Sequence, residues 1–197
     1  MISGMMTAEE FEQTRHTMPE GGRWHELHSG RPCLLEAPDD EHGTVVLNLS
    51  RALAKWLQSQ PQEFPGYAAH DVGLQVQTGP DTVLIPSISF FDQGERFGQS
   101  DRQIASLLPR LVVDVASSND RRQLMRERTL MFLKHGVDIV WIPDPFKREV
   151  QVLKRSSHTQ ALGERQTLKG ESALPGFEMS IADVFAQPDW WTKPKPG

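Results

Sequence analysis

The sequence predicts an α/β fold, a mixed sheet with helices packed against it. Three observations carry this. The apolar run LVVDVASS from Leu111 is followed by a charged helical pattern ending at Gly136, and then by a second buried-type run, DIVWIPDP, giving strand, helix, strand. A long helical stripe precedes them, with apolar residues at Val45, Val46, Leu49, Leu53, Trp56 and Leu57. Around both lie short alternating segments suited to half-buried strands. A chain of 197 residues, 38% of them hydrophobic, is long enough to bury one substantial core, and no repeat or linker divides it. Residues 1–187 are expected to form one domain, with 188–197 as a Pro- and Trp-containing tail.

The elements follow in order. Thr7-Ala-Glu-Glu10 is a capping box that opens a short helix to about Thr14, with Phe11 as its apolar contact. Trp24 to His28 alternates in type, and Ser29-Gly30 turns the chain into Cys33, Leu34 and Leu35, a hairpin. Pro38, Asp39 and Asp40 break it before the helix from His42 to Gln58. Tyr67 to Val76 reads as a strand, and the turn Gly79-Pro80-Asp81 leads into Val83 to Phe91. Gly94 to Ser106 is polar and turn-rich, a loop. Asn119 or Asp120 caps the next helix, in which Leu124, Met125, Leu130, Met131 and Leu133 face the sheet and Arg121, Arg122, Arg126 and Arg128 face away. Strands at Val137 to Ile142, Glu149 to Leu153 and Gln160 to Leu168 and a short helix at Ile181 to Phe185 complete the domain. In the tail, Trp190 and Trp191 are suited to docking on the surface or on a partner.

Composition narrows the classes. The formal net charge of -5 offers no general attraction to a polyanion, so contact with DNA needs a local basic patch, and the arginines of 121–128 are the one cluster that supplies it. One cysteine, Cys33, allows no internal disulfide and suits a reducing cytoplasm. No run has the length of a membrane span, and the N-terminus lacks the order of a signal peptide. Walker-type phosphate loops, paired metal-binding histidines around a Glu and a nucleophile elbow are all absent from the sequence.

Asp114 is the residue that chemistry would organise around. A carboxylate among Leu111, Val112, Val113 and Val115 must be paired, protonated or bound to a cation. Two readings stand at this point: a metal ligand, or a structural acid satisfied by Arg128 or by backbone amides.

The segments TAEEFEQT, RWHELHSGRP, HGTVVLNLSRALAKWL, VLIPSISFF, LPRLVVDVASS and FLKHGVDIVWIPDP together resemble the Uma-two family of restriction-endonuclease-like proteins, over Thr7 to Phe185 and in the family's order. The resemblance implies a PD-(D/E)xK nuclease fold, a mixed central sheet flanked by helices, and hydrolysis of nucleic-acid phosphodiesters helped by Mg²⁺ or Mn²⁺. Such a centre takes an Asp after the proline of the first strand, an acid in the next strand, usually Glu, and a Lys, here displaced onto the following helix.

This chain departs from that pattern. Ser87 follows Pro86, Asp114 stands at the strand acid, Arg128 falls at the lysine position, and Leu124 replaces an acid one turn earlier. Arginine holds a phosphate but does not give up its proton. Two positions match: Glu26 in the hairpin, and His42 at the start of the long helix. The resemblance therefore implies reduced or lost cleavage. Any remaining activity would use Asp114 as principal ligand with Glu26 or His42 assisting and Arg128 clamping phosphate. The alternative is a catalytically silent module that binds nucleic acid or a protein partner, with a homodimer among the expected assemblies. Each residue also has a plain structural role: Glu26 in an ion pair, His42 as a capping or surface residue, the arginines as a solvated face.

Overall fold

The computed structural model describes residues 4–94, 103–155 and 157–188, without the side chains of residues 119, 120, 157 and 158. Most of the loop expected at 94–106 and the whole Trp-containing end of the tail lie outside the described residues. Helix α1 (Ala8–Thr14) carries the expected capping box, with Thr7 and Glu10 bonded reciprocally. A hairpin of β1 (His25–His28) and β2 (Arg31–Leu34) leads to α2 (Asp40–Gln58), capped by Asp39. Then come β3 (Tyr67–His70), β4 (Leu74–Gln77), β5 (Thr82–Leu84), β6 (Ile88–Phe91) and β7 (Leu111–Val113). Helix α3 (Asn119–His135) is followed by β8 (Ile139–Asp144), β9 (Glu149–Lys154), β10 (Ser157–Gly163), β11 (Thr167–Lys169), β12 (Glu178–Ser180) and α4 (Ile181–Val184).

Six strands form the main sheet in the order β10-β9-β8-β7-β6-β3, mixed because β7 and β8 run parallel through the α3 crossover while the other pairs are antiparallel. A second sheet has the order β2-β1-β5-β4, and β11 pairs with β12. The expected single strands at 67–76 and 83–91 are each split between the two large sheets. Asp71 adopts a left-handed φ of 52°, which turns the chain between β3 and β4. Pro86 has no N–H to give a ladder, so β5 ends before it and β6 starts beyond it in the other sheet. Likewise 160–168 is divided at Gly163 into β10 and β11.

Alternation in the central strands decides which helix covers which face. Leu111, Val113, Val115, Ile139 and Trp141 pack with Val45, Leu49, Leu53 and Trp56 of α2 and with the segment around Phe177 and Ile181. Val112, Ala116, Val140 and Ile142 pack on the opposite side with Met125 and Phe132 of α3. A smaller cluster of Ala8, Phe11, Leu27 and Val83 seats α1 on the second sheet. Among the described residues, no helix is long and apolar enough to cross a membrane.

Candidate active site

Parity carries Asp114 to the α3 face. It continues β7 two residues after Val112, so its side chain joins the layer beneath the helix rather than the one beneath α2. On α3, Arg121, Met125, Arg128 and Phe132 recur at helical spacing and are all buried. The helix therefore lays an arginine against the strand acid. In β1, Leu27 enters the small core while Glu26 and His28 turn to the other side.

These residues converge. Arg128 Nε donates to Asp114 Oδ2 at 2.6 Å and Nη2 to Oδ1 at 3.3 Å, while Nη1 donates to Glu26 Oε2. Arg128 is 2% exposed, and Glu26 and Asp114 are 1% exposed, so the cluster is shielded from water. The free end of β5 is tied in as well, since the Ile85 N–H donates to Glu26 Oε1 at 2.6 Å. His28 Nε2 lies 2.9 Å from Glu26 Oε2. Burial alone would raise the Glu26 carboxyl, but the charge of Arg128 and the hydrogen bonds from His28, Arg128 and Ile85 bring it down to about 2. Burial opposes the Arg128 charge too, and Asp114 and Glu26 together more than reverse that, holding the guanidinium protonated.

The structure corrects two expectations about α3, the facing of its arginines and the identity of its cap. Arg121 and Arg128 face inward, in the stripe expected to be apolar, whereas Leu130 is 57% exposed. Arg128 is engaged by two carboxylates and does not present its fork to an incoming phosphate. The helix is capped by Ser118, whose hydroxyl accepts from the Arg121 N–H at 3.2 Å, rather than by Asn119 or Asp120.

His42 and Ser87 meet beside the cluster. His42 Nε2 is 3.2 Å from Ser87 Oγ, and Nδ1 is 2.9 Å from Ser117 Oγ. All three side chains are buried, which removes the expectation of a surface role for His42. Burial, and then the charge of Arg121, lower the His42 imidazole to about 4 against the pull of Asp39, leaving the ring neutral at neutral pH. In the sequence Ser117-Ser118 stands out only as a pair after the key strand that is not a nucleophile elbow, and nothing in its spacing marks a partner for a helix 75 residues away.

A divalent cation needs several oxygen ligands free to turn toward it. Glu26 and Asp114 instead point at a guanidinium lodged between them, and His42 is bonded at both ring nitrogens. Among the described residues, no group of three or more His, Cys, Asp or Glu side chains is placed to hold a metal. As arranged, the donor set does not fit the ion. The cavity lined by Glu26, His42, Ser87 and Arg121 has a volume of about 20 Å³, room for about one water.

A mixed sheet between α2 and α3, with Asp114 buried at the end of its strand β7 and Glu26 brought to it from the second sheet, has the architecture of the restriction-endonuclease-like class of folds. The family model described as "Uma2: Putative restriction endonuclease" matches residues 8–182, and the chain belongs to that family. It is similar to a crystal structure from Anabaena variabilis described as a putative nuclease belonging to DUF820. The two are 20% identical, the match covers 91% of this chain and 97% of that one, and the TM-score is 0.72, a likeness of fold. No curated protein matches the chain.

Proposed function

We propose that this chain is a nuclease-fold protein in which phosphodiester cleavage is reduced or lost, its centre closed by an internal ion cluster. The supporting observation is the guanidinium of Arg128, buried and shared by Glu26 and Asp114. An active centre of this class would need those carboxylates for a divalent cation and for positioning water. Here their lone pairs are engaged by Arg128, His28 and the Ile85 N–H. Ser87, at the position where the family pattern has an Asp, supplies a neutral hydroxyl bonded to His42.

Plasmid nicking in Mg²⁺ and in Mn²⁺, comparing wild type with Asp114→Ala, tests the reading. Both proteins should cleave at the blank rate or only slightly above it, so the outcome that counts against the reading is efficient nicking. Efficient, multiple-turnover cleavage by wild type that disappears in Asp114→Ala would overturn it and restore Asp114 as a metal ligand.

One observation favours a nucleic-acid-binding role for the silent scaffold. Arg122 and Arg126, the outward remainder of the basic cluster, line with Lys147 a groove of about 500 Å³ between α3 and the β8-β9 hairpin, where Asp144 pairs with Arg122 and Lys147 and leaves Arg126 the further positive charge. A DNA complex that forms at low salt and dissolves as salt rises, without cleavage, supports this role. No complex at low salt would favour a protein partner, a second copy of the chain included.

A further inference from the structure

Arg121 is the one member of the buried charge group that lacks a close partner. It is 5% exposed, and its Nε has no hydrogen bond. Its recorded carboxylate contact is Nη1 to Asp114 Oδ1 at 4.0 Å, and that oxygen already accepts from Arg128. A buried donor left unmade costs about 1–3 kcal/mol, more when it is charged. Arg121 lines the cavity of about 20 Å³ described above, together with Ser87, His42 and His25. His25 is likewise buried, and its Nδ1 has no partner.

We propose that Arg121 anchors a compact-anion site in this cavity, one that takes a halide or a single oxygen of a phosphate group. Size limits the occupant to about one atom or one water at full depth. A neutral water would satisfy Nε alone, while an anion would satisfy Nε and also meet a guanidinium whose carboxylate contact is as long as 4.0 Å. With its proton on Nε2, His42 donates to Ser87, and the Ser87 hydroxyl proton is left to point into the cavity. Arg121 also lies in the first turn of α3, where the helix dipole favours negative charge. The exposed lining residues are Arg23, 5.2 Å from the Trp24 ring, and Asp71, so the remaining oxygens of a phosphate would meet one guanidinium and one carboxylate outside. The field of Arg121 that opposes protonation of His42 acts on an anion with the opposite sign. Glu26 also borders the cavity, and with Asp114 it balances the two charges of Arg128 and Arg121, so the occupant is held by local donors and not by surplus positive charge.

Thermal denaturation of the full chain in sodium gluconate, titrated at constant ionic strength with sodium bromide or sodium phosphate, tests the site without reference to cleavage. Wild type should show a saturable rise in Tm with at least one anion, and Arg121→Gln should need at least ten times more. A rise with bromide marks a free halide as the occupant, and a rise with phosphate alone marks a phosphate oxygen. No rise with either, or the same rise in Arg121→Gln, overturns the proposal. Should the variant not fold, wild-type crystals soaked in bromide or phosphate give the answer directly. Anion density within hydrogen-bonding reach of Arg121 Nε supports the site, and a water alone overturns it.

Discussion

Arg128 grips Asp114 with two nitrogens of its fork, Nε at 2.6 Å and Nη2 at 3.3 Å, and turns the third to Glu26. Removing the guanidinium leaves two carboxylates buried without a counter-charge. Arg128→Met should lose roughly 3–5 kcal/mol of stability in urea unfolding at neutral pH. The triple variant Glu26→Gln, Asp114→Asn, Arg128→Met should recover most of that, because the loss comes from stranded charge. A single-variant loss under about 1 kcal/mol would show that the cluster contributes little.

Acid should weaken the fold in two windows. His42 takes its proton near 6.5 when unfolded and only at about 4 when folded, so the unfolded chain binds more protons and stability falls as pH drops from 6.5 to 4. Glu26 has its carboxyl lowered from 4.5 to about 2, so its contribution is complete above 4.5 and is lost as pH falls toward 2. Each full shift is on the order of 3 kcal/mol. Urea midpoints between pH 2 and 8 should therefore slope throughout the acid range, flattening above 4 in His42→Asn and below 4.5 in Glu26→Gln. Unchanged slopes in the variants would reassign the acid loss to other groups.

Restoring a carboxylate at position 87 should not be enough to bind metal. Ser87→Asp alone is expected to keep Mn²⁺ affinity near that of wild type in calorimetry, because Arg128 still holds Glu26 and Asp114. Ser87→Asp combined with Arg128→Ala should bind at least tenfold more tightly. Equal affinity in the single and double variants would show that Arg128 is not the obstacle.

The imidazole of His42 is steered by hydroxyls at both ends. Ser117→Ala leaves Nδ1 unsatisfied in a buried place and should cost about 1–3 kcal/mol. Nitrogen NMR of the ring should report a changed tautomer balance, and an unchanged spectrum would show that Ser117 does not orient it.

The acid in an aliphatic strand was legible because its cost does not depend on what surrounds it, and strand parity then fixes the face it takes. The order of strand, α3 and strand was equally readable, as were the capping box at Thr7 and the helix over 42–58, which begins two residues earlier at Asp40. The pairing of Arg128 with Asp114 stood among the readings of the sequence, but the inward stripe as a whole did not, because arginine scores as polar in any periodicity and only the position of Asp114 beneath it explains its burial. Pro86 was visible as the start of a motif, yet its effect was to pass the chain from one sheet to the other. That transfer is tertiary, and local alternation on either side looks the same with or without it. The pairing of His42 with Ser117 depends on how α2 crosses the end of β7, which no spacing encodes.

Glu26 belongs to the small sheet, Asp114 to the large one and Arg128 to the helix above it. Peeling the N-terminal hairpin away would have to open this three-way junction and uncover ions at the same moment. The molecule is therefore expected to melt as a unit, and hydrogen exchange should find the amides of β1 opening together with those of β7.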